Sequence, residues 1–290
     1  MADGERLVDI EKLWKRGQRY EALDALDAYL EEHPDDGAAW SRRGLYLLDL
    51  DEPRRAEALD ALNESLRIAP TYPAAYNAGN ALLDLGRYDE ALAMFELSVA
   101  CFDRYPQAWV NRGIALTRLE RRREGISSFD RALSLDPAFV PALRCKAIGL
   151  EQLGEKVESE ALYARMVEIE PDNVHVLSEY GRALSRLPPD NHMELEPHGR
   201  EWRAVEILSA VIERNPSDVR AWLAKAEVLF RCMHANVCFR RSVLDYVSGP
   251  LKTGSFQDDL LGLLKSALEH FPDHPEFLRY MAELQAFRDE

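Results

Sequence analysis

Gly86-Arg87-Tyr88-Asp89-Glu90-Ala91-Leu92 sets a glycine before an aromatic and an alanine after it, and these slots return along the chain about every thirty-four residues. The stretch belongs to a longer series, Gly79, Leu82, Gly86, Tyr88, Ala91 and Phe95. Downstream the series becomes Trp109, Gly113, Leu116, Gly125, Phe129, Ala132 and Pro137, then Leu143, Ala147, Leu150, Gly154, Tyr163 and Pro171. The two closing prolines stand thirty-four residues apart. Upstream it reads Trp40, Gly44, Leu47, Ala58, Leu62 and Pro70, and in more degenerate form Gly17, Ala22, Leu26 and Pro34. A fixed period of this length marks a repeat architecture, in which each unit buries its apolar face against its neighbours.

Within a unit the apolar residues fall at helical spacing, as in Ala91, Leu92, Phe95 and Val99, so each unit reads as two amphipathic helices. Gly44, Gly79 and Gly113 stand where a first helix must approach the second closely, and Ala22, Ala58, Ala91 and Ala132 where a large side chain would hold the two apart. Pro34, Pro70, Pro137, Pro171, Pro216 and Pro272 follow the second helices and end them, since the ring cannot continue the hydrogen-bond ladder. Asp35-Asp36, Asp172 and Ser217-Asp218 come next, suited to cap the helix that follows.

The series resembles the tetratricopeptide repeat, whose signature is an aromatic, Leu-Gly, an aromatic or Leu, Ala, an aromatic, Ala and a final Pro. The resemblance spans nearly the whole chain. It implies an all-α, right-handed superhelical solenoid of about seven helix-turn-helix units, at about 4–35, 36–71, 72–106, 107–139, 140–173, 174–217 and 218–273, with a capping helix over 274–290. One solenoid without a linker is expected.

Departures from the period mark loops on an edge of such a solenoid. The third unit carries about three extra residues, within Cys101-Phe102-Asp103-Arg104-Tyr105, before Pro106. Larger insertions occupy 187–199 and 232–256, both between the first and second helices of their units. They are expected side by side on one edge, where an enzyme could dock if the chain were a regulatory or substrate-presenting subunit.

Through the resemblance, the inner face lined by first helices would present Arg42, Asn77, Asn80, Asn111, Arg118, Arg144, Arg182 and Arg186, with Tyr76 and Phe230 as apolar contacts. Asn offers both a donor and an acceptor to a peptide backbone, and the Arg fork suits carboxylates. Asn77 and Asn111, thirty-four residues apart, would stack as a ladder. The expected partner is an extended or helical, acidic segment of another protein. The two-carboxylate clamp of chaperone-binding repeats is not matched, because Leu7 and Glu11 stand in its slots. Tyr105 and Phe102 are expected on the convex face.

The net charge of −15 and pI of about 5.0 argue against a nucleic-acid backbone or an anionic membrane as main partner. No apolar run approaches the roughly 20 residues that span a bilayer. The start Met1-Ala2-Asp3-Gly4-Glu5-Arg6 lacks a secretory apolar region. The scattered Cys101, Cys145, Cys232 and Cys238 read as reduced thiols of a cytoplasmic protein. Cys232-Met233-His234 and Cys238, with His192 and His198, have the chemical types of a zinc site, but Cys-x-His cannot put both ligands on one face of a helix. Neither metal nor cofactor is expected. Clusters at Arg118, Arg121, Arg122 and Arg123 and at Arg231, Arg240, Arg241 and Lys252 read as solvated faces. The chain has no His-Glu-x-x-His, phosphate loop or serine elbow, and is not expected to be an enzyme.

Overall fold

The computed structural model describes residues 2–186, 200–234 and 256–289. These residues form fifteen α-helices and no strand. The chain divides into two compact units, residues 1–149 and 150–290. In the first lie α1 (Ala2–Lys15), α2 (Arg19–Glu32), α3 (Gly37–Leu48), α4 (Arg55–Ile68), α5 (Tyr72–Asp84), α6 (Tyr88–Cys101), α7 (Pro106–Arg118), α8 (Arg122–Leu135) and most of α9 (Val140–Leu153). The second holds α10 (Lys156–Ile169), α11 (Val174–Arg186), α12 (Arg200–Arg214), α13 (Val219–His234), α14 (Phe256–His270) and α15 (Pro275–Asp289).

Successive helices pair as the period requires. In the first unit α3 packs on α4, α5 on α6 and α7 on α8, and α2, α4 and α6 each pack on the first helix that follows. The small slots explain the closeness. A Cβ on Gly44 would stand 2.5 Å from Leu62, one on Gly79 2.6 Å from Phe95, and one on Gly181 of α11 2.7 Å from Leu208. The alanines of the second helices, Ala22, Ala58, Ala91 and Ala132, are fully buried against these surfaces.

Polar ties fix each pair. The indole N–H groups of Trp40, Trp109 and Trp222 donate to the carbonyls of Pro34, Asp103 and Pro216, each six residues earlier, at 2.9, 2.7 and 3.0 Å. Buried Ser65 and Ser98 donate to the Gly37 and Tyr72 carbonyls at the first turns of α3 and α5. The expected caps form in part: Asp36 Oδ1 accepts from Ala39 N at 3.0 Å and Asp218 Oδ1 from Ala221 N at 3.3 Å. Before α11 the capping role falls to Asn173, not Asp172, with Oδ1 accepting from His175 N at 3.0 Å.

The three extra residues expected before Pro106 are not an insertion. Pro106 opens α7, where a missing N–H costs nothing. Only 102–105 separate α6 from α7, as 33–36 separate α2 from α3. Asp103 fills the closing-proline slot, as its bond from Trp109 shows.

Basic residues in the middle of first helices reach the second helix of the preceding pair. Arg43 meets Asp27 at 2.5 Å, Arg112 meets Glu96 at 2.9 Å and Lys146 meets Asp130 at 2.6 Å, each sixteen residues back. These three bridges, α3 to α2, α7 to α6 and α9 to α8, repeat the same step through residues 27–146.

Candidate binding face

In the first unit the residues expected on the binding face lie on the first helices α3, α5, α7 and α9. Tyr76, Asn77 and Asn80 are half-buried on α5, and Asn111 on α7. Asn111 Nδ2 donates to Asn80 Oδ1 at 2.7 Å and to the Tyr76 hydroxyl at 3.2 Å. The bond joins two neighbouring first helices. The Asn77–Asn111 ladder expected from their spacing is not what forms: Asn111 pairs with Asn80, which stands almost one turn further along α5 than Asn77 and is within reach of α7.

Tyr76 also carries an aromatic cluster. Tyr105 packs edge-on against Tyr76 with ring centres 5.0 Å apart and against Tyr72 at 5.6 Å, and Tyr72 lies 5.0 Å from Phe102. Tyr105 therefore belongs with the first-helix stripe, not with an opposite convex surface. Burial pushes its hydroxyl above the usual tyrosine range, and the neighbouring Tyr76 and Tyr72 add to this. Phe102 remains exposed.

The arginines fall into two groups. Arg42 and Arg118 make no ion pair among the described residues; Arg42 only reaches the Leu7 carbonyl at 3.5 Å, and Arg118 is exposed. Arg144 is half-buried on α9. In the second unit Arg182 donates to the Ser178 carbonyl at 3.2 Å, Arg186 is held by Glu151 at 3.1 Å, and the Phe230 ring packs on Tyr280 at 5.2 Å. Arg42, Tyr76, Asn77, Asn80, Asn111, Arg118 and Arg144 thus share one unit, while Arg182, Arg186 and Phe230 lie in the other.

The same slots carry apolar residues that the expected site does not include. Leu45 on α3 is 46% exposed and Ile148 on α9 is 40% exposed, while Ile114 on α7 is half-buried. All three hold the same slot of their units as Asn80 does on α5, so the row could have been found by aligning the units. Each has an arginine one helical turn away: Arg42 by Leu45, Arg118 by Ile114 and Arg144 by Ile148.

The insertion residues 187–199 and 235–255 lie outside the described residues, as do the side chains of Cys232 and His234 and the residues His192, His198 and Cys238. Among the described residues no group of three His, Cys, Asp or Glu could hold a metal ion, and no helix is long and apolar enough to cross a membrane.

Residues 11–73 and 76–138 match the model of the tetratricopeptide repeat family. No curated protein matches the chain. Among solved structures, the C-terminal part of a TPR repeat-containing protein from Cytophaga hutchinsonii is similar over 94% of this chain and 98% of its own, with a TM-score of 0.69 at 11% identity. YrrB, described as a TPR protein with an unusual peptide-binding site, is similar over 70% of this chain and 98% of its own, with a TM-score of 0.55 at 21% identity. MamA from Desulfovibrio magneticus RS-1 is similar over 59% and 96%, with a TM-score of 0.55 at 21% identity. At these identities the likeness is one of fold.

Proposed function

We propose, from the premise that residues 11–73 and 76–138 belong to the tetratricopeptide repeat family, that the chain is a non-catalytic scaffold or adaptor. It binds an extended or helical segment of a partner protein on the stripe of α3, α5, α7 and α9. The observation that carries this reading is the exposure of Leu45 on α3 and Ile148 on α9 at one slot of their units, with half-buried Ile114 in the same slot of α7. Stacked repeats need to bury only the faces between helices, so apolar side chains left exposed in register mark a surface that another chain covers.

The amides of Asn77, Asn80 and Asn111 supply donors and acceptors for a peptide backbone beside that row. A peptide-binding relative of the same fold, YrrB, is in keeping with this reading. A cytoplasmic setting accords with the free thiol of Cys101. The overall acidity favours a protein partner over nucleic acid or an anionic membrane. Continuation of the pairs as one solenoid through all seven units is part of the same proposal.

The test is selection of short peptides from a random displayed library on the full chain, followed by hydrogen exchange of the protein with the selected peptide. Protection confined to α3, α5, α7 and α9 is expected. Protection elsewhere, or no peptide selected over a stripe-disrupted variant carrying Leu45→Ser and Ile148→Ser, would overturn the assignment.

A further inference from the structure

We infer that the segment bound on this stripe is an acidic one in a polyproline-II-like conformation, with apolar residues at every third position except where it crosses α5. The inference rests on the binding role proposed above and specifies its partner. It begins with spacing. The first helices α3 and α5 touch, as do α5 and α7, and Lys146 of α9 bridges to Asp130 of α8 in the same way that Arg112 of α7 bridges to Glu96 of α6. The same step is therefore repeated from α3 to α9. Packed helices lie about 8–10 Å apart.

A chain crossing them must present one side chain per step. Polyproline II has three residues per turn and a rise of about 3.1 Å, so one turn advances about 9 Å and returns a side chain to the same face. A β-strand, with a period of two residues and about 3.3 Å per residue, falls out of phase after one helix. An α-helix needs about six residues per step, which is not a whole number of its turns. Only the first of these conformations keeps register with Leu45, the Asn80–Asn111 pair, Ile114 and Ile148 over the run of helices.

The chemistry of the steps then dictates the sequence. Leu45, Ile114 and Ile148 call for apolar residues, whereas at α5 the same slot holds Asn80, bonded to Asn111, which leaves Asn80 Nδ2 and Asn111 Oδ1 to meet a polar residue or the backbone. The motif is apolar, then polar three residues on, then apolar at six and nine. Arg42 and Arg118, each one turn from an apolar residue, meet carboxylates flanking the apolar positions. The charge is local. The chain as a whole carries −15, so it repels an acidic segment except where these guanidinium groups stand, which selects the register.

Fluorescence anisotropy of the full chain with labelled synthetic peptides tests this. The first peptide has leucines at its first, seventh and tenth positions, serine at its fourth and glutamates flanking each leucine. A second replaces the glutamates by glutamines, and a third moves the middle leucine by one position. The first is expected to bind about tenfold or more tighter than either of the others. The variant Arg118→Glu, at an exposed arginine, should lose the glutamate peptide and prefer a lysine counterpart, and Arg42→Glu should do the same where thermal melting shows its half-buried site still folded. Equal affinity of the three peptides, or no charge reversal, overturns the inference. If that happens while library peptides still protect α3 to α9, the binding role stands and only its partner is misassigned; if protection also falls elsewhere, both fail.

Discussion

Glu120 holds the backbone conformation of Gly86. Each is the same residue of its unit, in the turn between first and second helix, and their φ angles are +62° and +73°. Gly17 and Gly154 fill the slot in two other units at +81° and +82°. A residue with a Cβ pays about 1–2 kcal/mol in the left-handed region. Glu120→Gly should therefore stabilise the first unit by about 0.5–1 kcal/mol, after the entropy cost of glycine in the unfolded chain. The surface Glu120–Arg122 ion pair that would be lost, with its carboxylate exposed, contributes little. Gly86→Ala should do the opposite by a similar amount. Urea unfolding of both variants checks the pair; destabilisation by Glu120→Gly would contradict it.

The helical glycines divide by what surrounds them. A Cβ on Gly113 would stand 2.4 Å from the Phe129 ring and 2.9 Å from the Gly125 carbonyl oxygen, and backbone cannot yield as a side chain can. Gly113→Ala should destabilise by about 1–3 kcal/mol despite alanine's better helix propensity. Gly262, in the interior of α14, has no atom of the described residues within 4 Å of its Cβ position. Gly262→Ala should stabilise by about 0.5–1 kcal/mol. Thermal melts that moved both variants in the same direction would refute the close-approach account.

Lys225 stands in the slot of Arg43, Arg112 and Lys146, yet the residue sixteen before it is Ser209, which donates to the Val205 carbonyl of its own helix. Burial lowers the Lys225 ammonium below its ordinary range, and Asp259 and Glu213 only partly offset this. Ser209→Asp should restore the bridge, raise the Lys225 pKa and add about 0.5–1 kcal/mol near neutral pH. A raised folded-state pKa contributes stability while the lysine is protonated, and the gain is lost as pH rises through that pKa. Equilibrium unfolding near pH 7 and again above about pH 10 should show the gain at the first and its decline at the second. A gain independent of pH would mean that charge is not its source.

Much of this was readable from the chain alone, because stacking constrains small residues. Gly44, Gly79 and Gly113 must be small wherever two helices touch, so the period announces the pairs. Features set by relations between units were harder to see. Pro106 looked like a closing proline because it ends a gap, but Trp109 reaches back to Asp103 and shows where the unit closes. Tyr105 looked convex when counted from its neighbours in sequence, yet Tyr72 and Tyr76 draw it to the first-helix side. The Asn80–Asn111 bond joins slots that differ by three residues between units, an offset that equal spacing hides. Leu45, Ile114 and Ile148 share a slot that aligned units reveal, but an apolar residue on a helix reads by itself as core.

The Asn111 amide gives the most direct test of the face. Its Nδ2 is committed to Asn80 and Tyr76, so Asn111→Ala removes two partly buried hydrogen bonds and should cost about 0.5–1.5 kcal/mol of stability for each bond at most. Asn77 makes no side-chain bond among the described residues, so Asn77→Ala should leave the melting temperature nearly unchanged. Binding should respond differently. If both amides grip the backbone of the bound segment, each substitution weakens a library-selected peptide by about 1–3 kcal/mol, and the loss at Asn77 comes without any loss of fold. Calorimetric titration alongside thermal melts separates the two effects. Unchanged affinity in Asn77→Ala would remove that residue from the binding face, whereas lost affinity with unchanged stability can arise only from contact with the partner.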